Sequence, residues 1–530
     1  MVVAGTGEVK PTGAVDRAKL VPMSFASSEG ASEAPGAPSA GPAPRGTPAG
    51  LPPDFLFGVA TAGFQIEGGM NGADEPANNW VAWERSGRVQ PSGVALDFWN
   101  RFEDHLDRVA GLGCNSFRLS VEWARVEPAE GSIDGHALAR YREILEACHD
   151  RGLVPLVTLH HFTHPAWLGP DFWLRPDAPR RFASWVARAV DAFGDRCRHW
   201  VTLNEVNVLA VQTYFTGLLP PGRFGQLGAT VRAMDNLLAA HVFAVERIRA
   251  QQAQAQVGMN TYAMWIYELD RLLADVLAWR AHGIARGDLA DWLTQRRAQF
   301  EQAAPRRPAG AAVGAAAVGN AVVDTALRRL AHRALPLDAS FPRTVAAVEA
   351  AERDDLTGVV QVDYYDPVVA RHFRLPGHRT AGGRNWQPVR DLWDDPPDPA
   401  GLARYCAAVT EPGLPLWIAE NGLCSRVRNG RPYPRLDGWS RDRYLRENLG
   451  AVVSARRSGV PVSGYWHWTL ADNYEWGTYE PRFGIFGVDR ARGRWSDTDA
   501  VGDDAAGSYR RIITGLRAGD TSVVVLPTPP

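Results

Sequence analysis

Cysteine is scarce in this 530-residue chain, and what there is forms no pattern. Cys114, Cys148, Cys197, Cys406 and Cys424 are odd in number, scattered and without a C-x-x-C pair, which argues against a disulfide framework and against a cysteine zinc site. They read as buried thiols in a reducing compartment. Long apolar runs are missing as well. No window approaches the roughly eighteen residues of a membrane span, and the N-terminus lacks the continuous apolar stretch of a secretory signal. The expectation is a cytoplasmic protein with no membrane partner. An excess of charge of either sign is also absent, with 57 Lys and Arg against 59 Asp and Glu, so there is no broad field to hold nucleic acid. A neutral small molecule suits that balance better.

What is present is enough apolar sequence, 45% of residues, to bury a large core. Nineteen tryptophans offer aromatic faces of the kind that cover sugar rings, although most such side chains simply fill cores. Residues 1–53 stand apart: they are Ala/Gly/Pro/Ser-rich without apolar periodicity, and are expected to be a disordered tail.

From Phe55 onward short apolar runs alternate with longer amphipathic segments, the signature of repeated βα units around a parallel sheet. Eight strands are predicted, near 57–60, 116–120, 155–159, 200–203, 257–260, 358–362, 416–419 and 464–468. Between them lie patterns such as "APRRFASWVARAVDAFGDR", apolar at three- and four-residue spacing. Eight such units predict one closed (β/α)8 barrel over 54–520, an α/β fold, with 521–530 a C-terminal tail. Residues 262–355 interrupt the rhythm. A long helical pattern to about Ala303 is followed by "AAPRRPAGAAVGAAAVGNA", which reads as a loose connection, so the stretch is expected to be a loop insertion bordering the entrance to the barrel.

Polar side chains follow the apolar strand runs: Arg118 in "FRLS", His160 and His161 after "LVTL", Asn204 and Glu205 in "TLNEV", Glu420 and Asn421 in "IAENG". Barrel enzymes keep their chemistry at that end of the strands. A lone glutamate there reads equally well as a helix cap or a solvated loop charge. Two, each beside an asparagine at a strand end, point instead to paired carboxyl chemistry.

Six segments in one order now resemble glycoside hydrolase family 1: "FLFGVATAGFQIEGG", "FRLSVEWARVEP", "TLHHFTHPAWL", "TLNEV", "IAENG" and "GYWHWTLADNYEWGTYEPRFGIFGVD". The resemblance runs from Phe55 to about Gly515. It implies a retaining β-glycosidase acting on a β-linked glucoside, galactoside or fucoside. Glu420 would be the nucleophile and Glu205 the acid/base, with Arg118 and Tyr365 stabilising the Glu420 anion. It further implies that Gln65, His161, Asn204 and Glu475 hydrogen-bond the sugar, that Trp468 stacks on it, and that Trp476 and Phe483 line the pocket. Bland alternatives stand beside these: His160 in place of His161 as the inward-facing ring, Trp468 and Phe483 as packing, Glu475 as a surface charge. Neither a metal nor an organic cofactor is expected, because two carboxyl groups supply the whole requirement.

Three positions depart from the family pattern. Val206 stands where proline usually follows the acid/base, Phe162 where tryptophan is common, and Asp363 where asparagine precedes the paired tyrosines. An ionised Asp363 close to Glu420 would raise the neighbouring carboxyl pKa values, unless it turns away into a loop. The loop after Glu475 also lacks the Ser and Lys arrangement with which phospho-glycosidases of this family hold a sugar phosphate. The alternatives left open are transglycosylation, and a binding protein or natural-product tailoring enzyme on the same scaffold.

Overall fold

In the computed structural model, the apolar runs become the staves of one parallel sheet that closes on itself. Residues 51–304, 315–336, 338–365, 397–428 and 431–527 are described, and all of them fall in one compact unit, Pro48–Pro530. The staves are β1 (Leu56–Ala60), β2 (Ser116–Ser120), β3 (Val154–Thr158), β4 (His199–Val201), β5 (Gln256–Gly258), β6 (Asn260–Tyr262), β7 (Val360–Asp363) and β8 (Leu416–Asn421). After a small hairpin of β9 (Arg426–Arg428) and β10 (Arg431–Tyr433), β11 (Val462–Trp468) returns to the sheet between β8 and β1. β5 and β6 are halves of one strand broken at Met259. The first half pairs with β4 and the second with β7, and this closes the ring of eight.

Both faces of these strands are covered, as a parallel sheet requires, and alternation sorts their side chains. In β2, Phe117 and Leu119 join the outer core beneath the helices, while Ser116 and Arg118 point into the barrel. A separate apolar cluster containing Leu156, Val201, Val359, Trp417 and Trp466 fills the interior below the site. Trp466 fits because Gly58 and Gly464 put no side chain in its way. The outer layer follows from helical spacing: Ala178–Phe193 buries Phe182, Val186, Ala189, Val190 and Phe193, and packs on the helix Leu227–Gln251. Among the described residues no helix is long and apolar enough to cross a membrane, and all five cysteines are buried free thiols.

Three expectations need correcting. The described part of the insertion is not one long helix, and of the expected loose connection residues 305–314 lie outside the described residues while 315–321 are helical. It carries the helices Arg271–Ala278, Leu289–Ala303 and Ala315–Ala334, with Gly283 at positive φ turning the chain after the first. It is fixed by buried charge: Asp275 accepts from Arg271 at 2.9 Å, from Arg296 at 2.9 Å and from the hydroxyl of Tyr267 at 2.9 Å. Nor is the C-terminus a free tail as far as it is described, since Val524 is buried and the N–H of Val525 bonds the carbonyl of Arg446 at 3.0 Å. The disordered-tail expectation lies outside the described residues up to position 50; Leu51, inside the expected tail, is already buried.

At the C-terminal end of the barrel strands β8 and β11 meet closely at Gly422, where an added Cβ would run into the carbonyl oxygen of Trp468. Gly422→Ala is expected to destabilise the protein by about 1–3 kcal/mol as the two strand ends are pushed apart. A melting temperature equal to that of the wild type would show that the ends separate freely.

Candidate active site

Three carboxyl groups converge at the C-terminal end of the barrel. Glu205 follows β4 and occupies the N-cap position of the helix Val206–Tyr214, in a left-handed conformation with φ 40° and ψ 61°. Its side chain makes no capping bond, so the carboxyl is left to face the pocket. Glu420 lies in β8, where Trp417 points inward and Ile418 outward. Strict alternation would then turn Glu420 outward as well. A bulge corrects this: Val362 pairs with Ile418 but Asp363 pairs with Glu420, skipping Ala419. The same irregularity sets Asp363, the last residue of β7, side by side with Glu420. One oxygen from each of Glu205, Asp363 and Glu420 lies within 4.8 Å of the others. That gap suits the roughly 5–5.5 Å of a retaining carboxyl pair, not the 6.5–9.5 Å of an inverting one.

The three carboxyls differ in their partners. Glu420 accepts from Nη1 of Arg118 at 2.6 Å and from the hydroxyl of Tyr365 at 2.8 Å. Asp363 accepts from the amide of Asn260 and lies 3.9 Å from Nη1 of Arg118, its other oxygen buried without a hydrogen bond. Glu205 has no hydrogen-bond donor on its carboxyl among the described residues. Burial first, then the charges of Asp363 and Glu420, hold Glu205 well above the usual carboxylate range. Burial also raises Glu420, but the Arg118 charge and the Tyr365 hydrogen bond oppose it. Asp363 is raised by burial and by Glu420, with Arg118 and Asn260 opposing. One guanidinium can balance one carboxylate, and among the three carboxyls its shortest contact is with Glu420. The arrangement therefore favours an anion at Glu420 and a neutral acid at Glu205.

Next to this trio is a second polar group. Glu475 accepts from the indole N–H of Trp468 at 3.2 Å and from the amide of Gln65 at 3.2 Å, and burial pushes its carboxyl up to about 8. His161 faces this space: its ring stacks against those of Trp468 and Trp476, with centroids 5.8 and 5.7 Å away, and Nε2 lies 3.9 Å from Glu420. Burial, then the Arg118 charge, keeps its pKa well below the ordinary value, so the imidazole is neutral. His160 turns outward instead, among Trp173, Phe182 and His164. Trp476 packs between Phe64, Trp80 and Phe162, and Phe483 sits edge-on to Tyr365. Phe162, Glu205 and Trp476 all adopt positive φ, a concentration of unusual backbone at one pocket.

The structure thus brings together Gln65, Arg118, His161, Asn204, Glu205, Tyr365, Glu420, Trp468, Glu475, Trp476 and Phe483. It adds two residues that sequence reasoning missed. The amide of Asn260 donates to Asn204 at 2.8 Å and to Asp363, and Thr158 accepts from Nε of Arg118 at 3.2 Å. Both are polar residues at the ends of apolar runs, the one signal that marked them. Among the described residues the carboxylate trio is also the one group close enough to share a metal ion, and a cation there would compete with Arg118 for Glu420.

The profile described as "Glycosyl hydrolase family 1" matches residues 47–291 and 376–510, leaving out most of the insertion together with Asp363 and Tyr365. The chain is 26% identical over 462 residues to 6-phospho-beta-galactosidase 1 of Streptococcus pneumoniae, covering 83% of this chain and 94% of the relative. It is also 26% identical over 475 residues to beta-glucosidase 3 of Oryza sativa subsp. japonica, covering 83% and 88%. Among solved structures it resembles a beta-glucosidase from Thermotoga maritima in complex with deoxynojirimycin, with a TM-score of 0.64 and 25% identity over 88% of this chain and 99% of that one.

Because the Tyr365 hydroxyl favours the ionised form of Glu420, its removal must raise the pH at which Glu420 loses its proton. Tyr365→Phe is expected to move the acid limb of kcat/KM for an aryl β-glycoside upward by about one to two pH units. An unmoved limb would show that Arg118 alone sets the ionisation.

Proposed function

The chain belongs to glycosyl hydrolase family 1 and is a retaining glycoside hydrolase, and from that premise we propose that it hydrolyses an unphosphorylated β-linked glucoside, galactoside or fucoside through a covalent intermediate on Glu420. In the first step a Glu420 oxygen attacks the anomeric carbon as the bond to the leaving oxygen breaks, and Glu205 delivers its proton to that oxygen. In the second step Glu205, now a carboxylate, takes a proton from water, whose oxygen displaces Glu420 and restores both groups. Two inversions leave the β-configuration unchanged.

What carries this reading is the contrast between two carboxyls within 4.8 Å of each other: Glu420 held by Arg118 and Tyr365, Glu205 buried without a donor. Gln65, His161, Asn204 and Glu475 supply the amides, imidazole and carboxyl that match sugar hydroxyls, and Trp468 the indole face for the apolar side of the ring. Trp476 and Phe483 complete the walls. The unphosphorylated sugar follows from the loop after Glu475. Its one cation, Arg482, is spent on the Tyr479 carbonyl and stands 3.8 Å from Asp472, while Glu475 and Phe483 bring no positive charge to a phosphate. The 6-phospho-beta-galactosidases among its relatives are therefore guides to the reaction, not to the substrate.

The test uses 4-nitrophenyl β-glycosides with and without a 6-phosphate. Wild type is expected to cleave an unphosphorylated one, the first sugar formed being the β-anomer by NMR. Glu420→Gly is expected to lose a factor on the order of 10⁴ or more in kcat. Azide should restore turnover of that variant and yield the α-glycosyl azide. A first-formed α-anomer, full activity without Glu420, or a preference for the 6-phosphate would each refute the corresponding part.

A further inference from the structure

Arg118 faces two carboxyls, not one. Its Nη1 bonds Glu420 at 2.6 Å and lies 3.9 Å from Asp363, and all three side chains are nearly or fully buried. Around Asp363 stand Glu420 on β8, Arg118 on β2, Glu205 after β4, Asn260 on β6, and Tyr365 two residues on in its own chain. Arg118 is the one cation in this set. A second buried anion beside Glu420 would have no counter-charge of its own, so while Glu420 is ionised Asp363 keeps its proton.

The first chemical step changes that balance. Glu420 becomes a neutral ester, Arg118 loses its carboxylate partner, and Glu205 is left as an anion to which no donor bonds among the described residues. Asp363 then stands nearest to the unpaired guanidinium, with one oxygen already accepting from Asn260 and the other unpartnered. Its carboxyl is also within 4.8 Å of that of Glu205.

We propose that Asp363 takes over the negative charge beside Arg118 once Glu420 is glycosylated, passing its proton to Glu205, so that this glycosyl-enzyme resists water and yields to anionic nucleophiles. The protons balance: Glu205 gives one to the leaving oxygen and receives one from Asp363. Water attack requires that proton to return to Asp363 as Glu205 accepts one from water. An anion such as azide needs no base. Its nitrogen bonds the anomeric carbon, the electron pair of the ester bond returns to Glu420, and Asp363 recovers its proton from solvent. An asparagine at this position carries no ionisable proton, and Glu205 would then remain a carboxylate that deprotonates water and repels azide.

The inference rests on the roles of Glu205 and Glu420 proposed above. The experiment measures turnover of whichever 2,4-dinitrophenyl β-glycoside (glucoside, galactoside or fucoside) wild type cleaves fastest, at about pH 6, with and without sodium azide. Azide is expected to raise wild-type kcat by about tenfold or more, below the full worth of a general base, with β-glycosyl azide as the product. Asp363→Asn is expected to turn over faster than wild type without azide and to lose the azide response. An azide-insensitive wild type overturns the role of Asp363, whether or not the variant folds. So does an azide response that survives in Asp363→Asn. Absence of turnover on all three glycosides overturns the glycosidase reading and this inference with it, whereas turnover without azide activation leaves that reading intact.

Discussion

The geometry of the pocket hangs on one buried guanidinium. Arg118 is wholly inaccessible, and its donors reach Thr158 at the end of β3, the Ala419 carbonyl and Glu420 carboxyl of β8, and Asn204 beyond β4. A planar fork of that kind fixes angles as well as distances, which a lysine could not do. It therefore sets where Glu420 and Asn204 point, and its charge decides which carboxyl in the trio is ionised. Taking such a charge out of water is costly, and a buried pair contributes little to net stability. Its value here lies in holding a negative charge on Glu420 inside a pocket whose burial would otherwise neutralise it.

Burial acts on every other acid at the site, and in one direction. Glu205 and Asp363 are pushed well up, and Glu475 reaches about 8. The Tyr365 phenol is driven still further from ionisation by burial and by Glu420, so it donates and never competes as an anion. His161 stays neutral for the same reason. The pocket thus holds many titratable groups but little net charge. This matches a neutral sugar, whose hydroxyls need partners that both donate and accept; a protonated Glu475 does both, while a carboxylate only accepts.

Much of this was legible in the sequence because strands of a parallel barrel are short apolar runs, and chemistry sits at the residues that follow them. All eight predicted strands exist, with ends moved by up to two residues, and Arg118, Glu205 and Glu420 come together from within or just after those runs. Less legible was anything that depends on register. No pattern within "LWIAENG" announces the bulge at Ala419, and without that bulge Glu420 would face the helices and Asp363 would not lie beside it. Asn260 was missed because its importance comes from partners just after β4 and on β7, distant in sequence. The start of the helix Ala315–Ala334, up to position 321, was read as the end of a loose connection because its alanines and glycine lack an apolar stripe. Yet alanine has the highest helix propensity, and the chain takes the helical option.

The choice between His160 and His161 shows how position alone falls short. Both follow β3 and both are buried, but β3 alternates Leu156 in, Val157 out and Thr158 in, with Leu159 again in the outer core. His160 continues outward into an aromatic cage of Trp173, Phe182 and His164, and the next residue swings back across Glu420. Phe162, at φ 64°, then reverses the chain so that its own ring meets Trp476. Three consecutive residues thus serve three layers of the barrel: outer packing, anion contact and pocket wall. Because the three are consecutive, one short stretch of backbone sets both the aromatic wall at Trp476 and the contact with Glu420.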